Sequence, residues 1–321
     1  MSFETLDLMA ETGKWRAREM RYFKGSWQRV AEQLPSFELR PFKAGPDEPE
    51  NPFLRSVVRL PIGKAERPIP VGVVSPTYTL APHRAVLEKC VAGLLAAGVE
   101  TDLLVAEIGL SELDEWMHLR IPLPEEYDFE PVPGDYMQLQ LECTNSVNGA
   151  SRLGIQMRWL RLICSNGMTV ERSLVSVRDI HNEGMNLERI PKAIASAFEQ
   201  VQEDRKRLRR LTSTPVALME LIPWVNGPLT DAWGPQAAAR VLHISRYGSD
   251  AEPGPGGSRG KASSWDMAST RQVPGSPAPA RNIFDISQAL AWVASHRNNA
   301  EERIDWQRQV SQLIQDIPKA S

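Results

Sequence analysis

Cysteine and histidine are scarce in this chain, and a bias of charge sign is absent. Only three cysteines occur, Cys90, Cys143 and Cys164, odd in number, far apart and without a C-x-x-C pair. That pattern argues against a disulfide framework and a thiolate zinc site, and the reducing cytoplasm is the expected compartment. With 37 Lys+Arg against 40 Asp+Glu the net charge is only -3. A globally basic nucleic-acid binder is therefore excluded, and any such surface must be a local patch. The opening "MSFETLDLMAETGKW" carries acids where a signal peptide wants a basic start and an apolar run. No segment approaches the ~20 apolar residues that span a bilayer, so no membrane partner is expected. Also missing are a phosphate-binding glycine loop with its lysine, a dinucleotide fingerprint, H-E-x-x-H and G-x-S-x-G, which leaves no cofactor to expect.

What is present is enough apolar residue, 42% of 321, to bury a substantial core. Phe53 to Leu60 and Val71 to Ser75 read as short strands bounded by proline-rich turns. In "APHRAVLEKCVAGLLAAG" the apolar residues recur at helical spacing, with Pro82 in the first turn and Gly98 at the C-terminal cap. Four strand signals follow: "TDLLVAEIG", "EWMHLRIPL", "DYMQLQLECTN" and "RLGIQMRWLRLIC". In the third, Met137, Leu139, Leu141 and Cys143 alternate with polar residues, and in the fourth Leu153, Ile155, Met157 and Trp159 do the same. Alternation of this kind marks an antiparallel sheet with one polar face. A two-residue turn at Asn148-Gly149 would set apolar side chains opposite polar ones. A three-residue loop centred on Gly149 instead pairs Leu141 with Met157 and Gln140 with Arg158, which keeps the faces consistent.

The expected fold is therefore α+β: an antiparallel β-meander with a preceding helix and a long following helix, Glu188 to Leu211, plus C-terminal helices. Residues 1–248 read as the core domain. The Gly/Pro/Ser-rich stretch 249–282 reads as a flexible loop or linker that cannot form a core, and 283–321 as a helical segment docking on the core domain.

Candidate chemistry sits in three places. On the second strand Trp116, His118 and Arg120 point away from the core, joined by Arg152 and Arg158 on the fourth, and interleaved aromatic and basic groups suit stacked bases and phosphates. The plainer reading is a solvated or helix-covered amphipathic face. The long helix ends in "DRKRLRRL", where Arg205, Lys206, Arg207, Arg209 and Arg210 form either a solvated terminus or a phosphate-binding patch. Cys164 could be a nucleophile if His118 or His181 served as base, although a cysteine ending an apolar strand is ordinarily a small core residue. Asp179, His181 and Glu183 could hold a metal, but a polar loop before a helix explains them as well.

The segments "VSPTYTLAPHRAVLEKC", "CTNSVNGASRLGIQMRWLRLICSNGMTV", "SVRDIHNEG" and "NIFDISQALAWVASH" occur in an order that resembles one family. It is that of the phage/plasmid-like proteins of the domain of unknown function numbered nine hundred and thirty-two. "RLICSNG" is similar to the family's arginine and Cys-Thr-Asn-Gly ending. His181 alone carries over from its Arg-His-Thr, and "SQALAW" stands where the family has Asn-Ala-Val-Thr. The resemblance implies an association with mobile elements. The expected topology also resembles the core of Rad-fifty-two-type single-strand annealing proteins.

Together these imply a single-stranded DNA-binding or annealing protein that needs no nucleotide, with a homo-oligomer as a possible partner state. The alternative is a non-enzymatic protein-interaction factor of a mobile element, a regulator or counter-defence protein. A Cys- or metal-dependent enzyme is the third reading.

Overall fold

The computed structural model describes residues 20–63, 66–161, 167–168, 177–179, 181–256, 258–297 and 300–318; Cys164 lies outside them. The chain opens with β1 (Met20–Ser26), α1 (Trp27–Gln33), β2 (Phe37–Pro41), β3 (Arg55–Arg59), β4 (Ile69–Val74) and α2 (His83–Ala96). The meander follows as β5 (Val105–Ser111), β6 (Trp116–Pro122), β7 (Met137–Ser146), β8 (Leu153–Arg161), β9 (Gly167–Met168) and β10 (Val177–Asp179). Then come α3 (Arg189–Phe198), α4 (Val201–Ser213), α5 (Leu221–Trp224) and α6 (Thr230–Tyr247), which kinks at Gly234. The last elements are β11 (Ser249–Pro253), β12 (Met267–Gln272), α7 (Ile283–Ser295) and α8 (Ala300–Gln315).

The architecture is α+β. A seven-stranded antiparallel sheet runs β1-β5-β6-β7-β8-β10, with β9 also on β8, while β2-β3-β4 form a smaller sheet and β11-β12 a ribbon. Side-chain parity sets the register of β7 against β8: Leu141 faces Met157 and Gln140 faces Arg158, so apolar meets apolar across the pair. The connection is longer than three residues. Past Thr144, paired with Gly154, Ser146 and Asn148 bond the backbone of Ser151 and Ala150, and Gly149 turns the chain at φ 77°.

The apolar face of the sheet packs on α2 and α3. Leu119, Leu139, Leu141, Ile155 and Met157 lie in one cluster with Val86, Leu87, Cys90, Leu94, Ile190 and Ile194. Each such fully buried side chain is worth ~1.5–3 kcal/mol. The two helices cross so closely that a Cβ on Gly93 would lie 2.7 Å from Ile194 Cβ and 3.0 Å from Pro191 Cα. A second cluster joins Trp224, Val225, Trp233 and Val241 to Ile286, Leu290, Val293, Val310 and Ile314 of α7 and α8.

Two expectations are corrected. The long helix Glu188 to Leu211 is two helices, because the Gln200 amide bonds the Ala197 carbonyl three residues back and tightens the chain between α3 and α4. The 249–282 stretch is not a bare loop or linker, since its strands pair as a ribbon, Ala251 is buried, and Ala262, Val273 and Ala280 belong to the second cluster. Composition misled there, because buried alanines and a valine lie among the glycines, prolines and serines.

Candidate nucleic-acid interface

The polar face of the meander is built around one carboxylate. Register places Glu142 of β7 between Arg120 of β6 and Gln156 of β8. Its oxygens receive His118 Nε2 at 3.1 Å, Arg120 Nε at 3.1 Å, Arg158 Nη2 at 2.7 Å and Gln156 Nε2 at 2.8 Å. Burial alone would raise the Glu142 carboxyl, but Arg158, His118 and Arg120 hold it well below the usual carboxylate range. Burial lowers the His118 imidazole and the Arg158 guanidinium, in each case against the attraction of Glu142. Helix α8 lies over this face, with Arg158 Nη1 donating to Gln307 Oε1 at 3.3 Å.

His118 and Arg158 are thus inside an ion-pair network under a helix, turned away from solvent phosphates. Arg120 and Trp116 are half-buried beside it. Arg152 is exposed at the β7–β8 turn.

The basic end of α4 lies on the other side of the sheet. Arg205 donates to the carbonyls of Tyr127 and Asp128 at 2.7 and 3.2 Å, and its guanidinium sits 5.6 Å from the Trp159 ring, on the core face. Arg209 stacks 5.0 Å over Phe129, Lys206 pairs with Glu203, and Arg207 is half-buried. Lys206, Arg209 and Arg210 remain exposed. The sheet therefore separates this patch from Trp116, His118 and Arg120, and a single strand could not lie flat across both.

The structure brings together a groove that sequence reasoning passed over. The last turn of α6 and the β11–β12 ribbon enclose about 710 Å³, lined by His243, Arg246, Tyr247, Ser249, Trp265, Asp266, Ser269 and Arg271 among others. Tyr247 is 59% exposed, with its ring tilted against that of His243 at 4.7 Å. Trp265 and Arg246 are half-buried and Arg271 is exposed, its guanidinium 5.1 Å over the Trp292 ring. The ribbon is fixed in place by Asp250, which accepts from Arg240 Nε and Nη2 at 2.9 and 2.6 Å and from Trp292 Nε1 at 2.9 Å. Burial would raise that carboxyl, yet Arg240 and Trp292 keep it below its ordinary value. The sequence signal was a tryptophan and two basic residues in "GKASSWDMASTRQ", hidden by small and polar neighbours.

The remaining motif residues converge as pins of the fold. His83, fully buried, bonds the Asp114 carbonyl through Nε2 at 2.9 Å and the Asn145 amide through Nδ1 at 3.0 Å. Burial drives its imidazole down to about 4, so it is neutral at ordinary pH. Asp114, in a left-handed turn at φ 63°, is ion-paired with Arg59 and Arg21, and Tyr78 stacks on His181 at 5.2 Å. Among the described residues no group of three His, Cys, Asp or Glu is placed to hold a metal, and no helix is long and apolar enough to cross a membrane.

Comparison with known proteins gives one match. No curated protein and no solved structure matches the chain. A family model, described as Domain of unknown function (DUF932), covers residues 70–269, from β4 through the meander and the helices to the middle of β12. That span is more than half of the chain and holds strands β5–β10 of the sheet, His83, Asp114, Tyr78 and most of the groove, so the protein belongs to the DUF932 family.

Proposed function

We propose that this protein binds single-stranded nucleic acid, in the manner of annealing-type proteins, without consuming a nucleotide. The observation that carries the reading is one open groove that holds two aromatic rings, Tyr247 and Trp265, beside two guanidinium groups, Arg246 and Arg271. Rings accept any base by stacking while guanidinium groups track the backbone, and neither requires sequence readout.

Backbone connections extend the basic character beyond the groove. The Ala280 amide bonds the Ser245 carbonyl at 2.7 Å, Val216 bonds the Arg281 carbonyl at 3.1 Å, and Ile283 bonds Thr214 at 3.0 Å. One short segment thus ties the end of α4, with Arg209 and Arg210, to the exposed Arg281 and the last turn of α6. A strand leaving the groove would meet these cations next.

The test is a titration of a fluorescent oligonucleotide across a salt series. Trp265→Ala should weaken binding by ~1–3 kcal/mol per lost stacked base and leave the salt slope unchanged, because stacking releases no counterions. Arg246→Gln combined with Arg271→Gln should reduce the slope by roughly 0.7 for each phosphate contact removed. Absence of salt-dependent binding by the wild type would overturn the proposal in favour of a protein-interaction role.

A further inference from the structure

Deep in the same groove three side chains from three elements meet at one point. His243 Nε2 of α6 lies 2.8 Å from Ser269 Oγ of β12 and 3.5 Å from Ser249 Oγ of β11, and the two hydroxyls are 3.0 Å apart. His243 and Ser249 are each 8% exposed, whereas Ser269 opens to the groove. Among the described residues the three atoms bond one another and no backbone group, so a ligand oxygen could take over their hydrogen bonds.

We propose that this triangle is a seat for the phosphate group of a nucleotide unit, with Arg246 and Arg271 supplying charge and Trp265 or Tyr247 taking the base. The inference rests on the nucleic-acid reading given above. Two hydroxyls and an imidazole converging on one point offer donors to a tetrahedral oxyanion, and charge-assisted bonds of this kind are the strong ones. The groove also has the size of a small-ligand site, for which ~300–1,000 Å³ is usual.

Charge around the seat favours an anion. Arg246 follows His243 on the same helix, and Arg271 lies on β12 two residues after Ser269. Asp266 is the single carboxylate among the lining residues. Asp250 on β11 is already saturated by Arg240 and Trp292, and His296 of α7 lies within its field. With Asp250 so engaged, no carboxylate among the described residues orients His243 as a base for Ser269, and the geometry is that of a binding site and not a nucleophilic dyad.

Burial and Arg246 lower the His243 imidazole, with Asp250 opposing them, so a bound phosphate should restore a proton to it. The experiment is NMR of the His243 ring in the full chain, assigned with His243→Gln and titrated with thymidine monophosphate and with thymidine. The expected result is a saturable shift and a raised His243 midpoint with the monophosphate, and no such change with the nucleoside. Ser269→Ala, at an exposed position, and the Ser249→Ala/Ser269→Ala pair should each weaken monophosphate binding, the pair about tenfold or more.

Equal response to thymidine, or none to the monophosphate, overturns the seat. If oligonucleotides still bind in that case, the strand-binding function stands and only the seat fails. If the monophosphate binds and oligonucleotides do not, the seat stands and the strand-binding function falls.

Discussion

Replacing Glu142 by glutamine tests whether the polar sheet face is an interior or a surface. The wild-type carboxylate is 7% exposed and takes hydrogen bonds from His118, Arg120, Arg158 and Gln156, of which Arg158 is equally buried at 7%. Glutamine keeps the shape but carries no charge and only one acceptor atom. Arg158 would then be a desolvated cation with Gln307 and the neighbouring amides as its remaining partners. Removing one partner of a buried ion pair costs about 3–5 kcal/mol, against about 0–1 kcal/mol for a solvated pair. The larger figure is a third or more of the total stability of a typical domain.

Urea unfolding at pH 7, followed by circular dichroism, should show that loss with an unchanged m-value. The double variant Glu142→Leu with Arg158→Met should recover most of it, since an apolar pair leaves no buried charge. The acid side gives an independent sign. The folded carboxyl is held well below its unfolded value, so its contribution is present above the unfolded value and fades as pH falls below it. Glu142→Gln should flatten that acid limb. A loss under about 1 kcal/mol would refute the reasoning: the face would be wet, α8 would not seal it, and Trp116, His118 and Arg120 would return as the leading nucleic-acid surface.

Two further outcomes follow from the packing. Gly93→Ala gains about 1 kcal/mol of helix propensity but forces a Cβ to within 3.0 Å of the Pro191 backbone, and overpacking of this kind costs about 1–3 kcal/mol. Denaturation should therefore show a net loss, and a gain would mean that α2 and α3 do not cross so closely. Asp128, pushed up to about 6 by burial and by Glu125 against the pull of Arg205, holds its proton more tightly folded than unfolded. The Asp128 contribution to stability falls as pH rises from about 4 to 6, opposite in sign to that of His83, so thermal melts should show Asp128→Asn gaining stability relative to wild type across that window.

The meander was legible because its information is local. Parity along Met137–Cys143 and Leu153–Trp159 decided the register of β7 on β8, and the stripe of α2 located the helix that covers their apolar face. The break between α3 and α4 was not legible, because Ile190, Ile194, Ala197, Val201 and Leu208 keep one helical period through it. Nor was the cover on the polar face: nothing near Arg158 in sequence announces Gln307, and an alternating polar face looks the same wet or sealed. The groove was missed for a related reason. Its aromatic and basic groups come from the end of α6 and from a ribbon whose glycine and serine content imitates a linker.

The two faces of the sheet also differ in when they can be covered. The apolar face is closed by α2, made before β5–β8, and by α3, made soon after them. The polar face must wait for α8, the last of the described helices. During that wait the emerging sheet shows water Glu142, Arg120, Arg158 and, beside them, the one ring of Trp116, so the face consists mostly of groups that hydrate well and do not stick to other chains. Apolar residues on the late-covered face would leave a half-built sheet open to aggregation. A charged interior costs some final stability, and in return the sheet can be synthesised in a safe order.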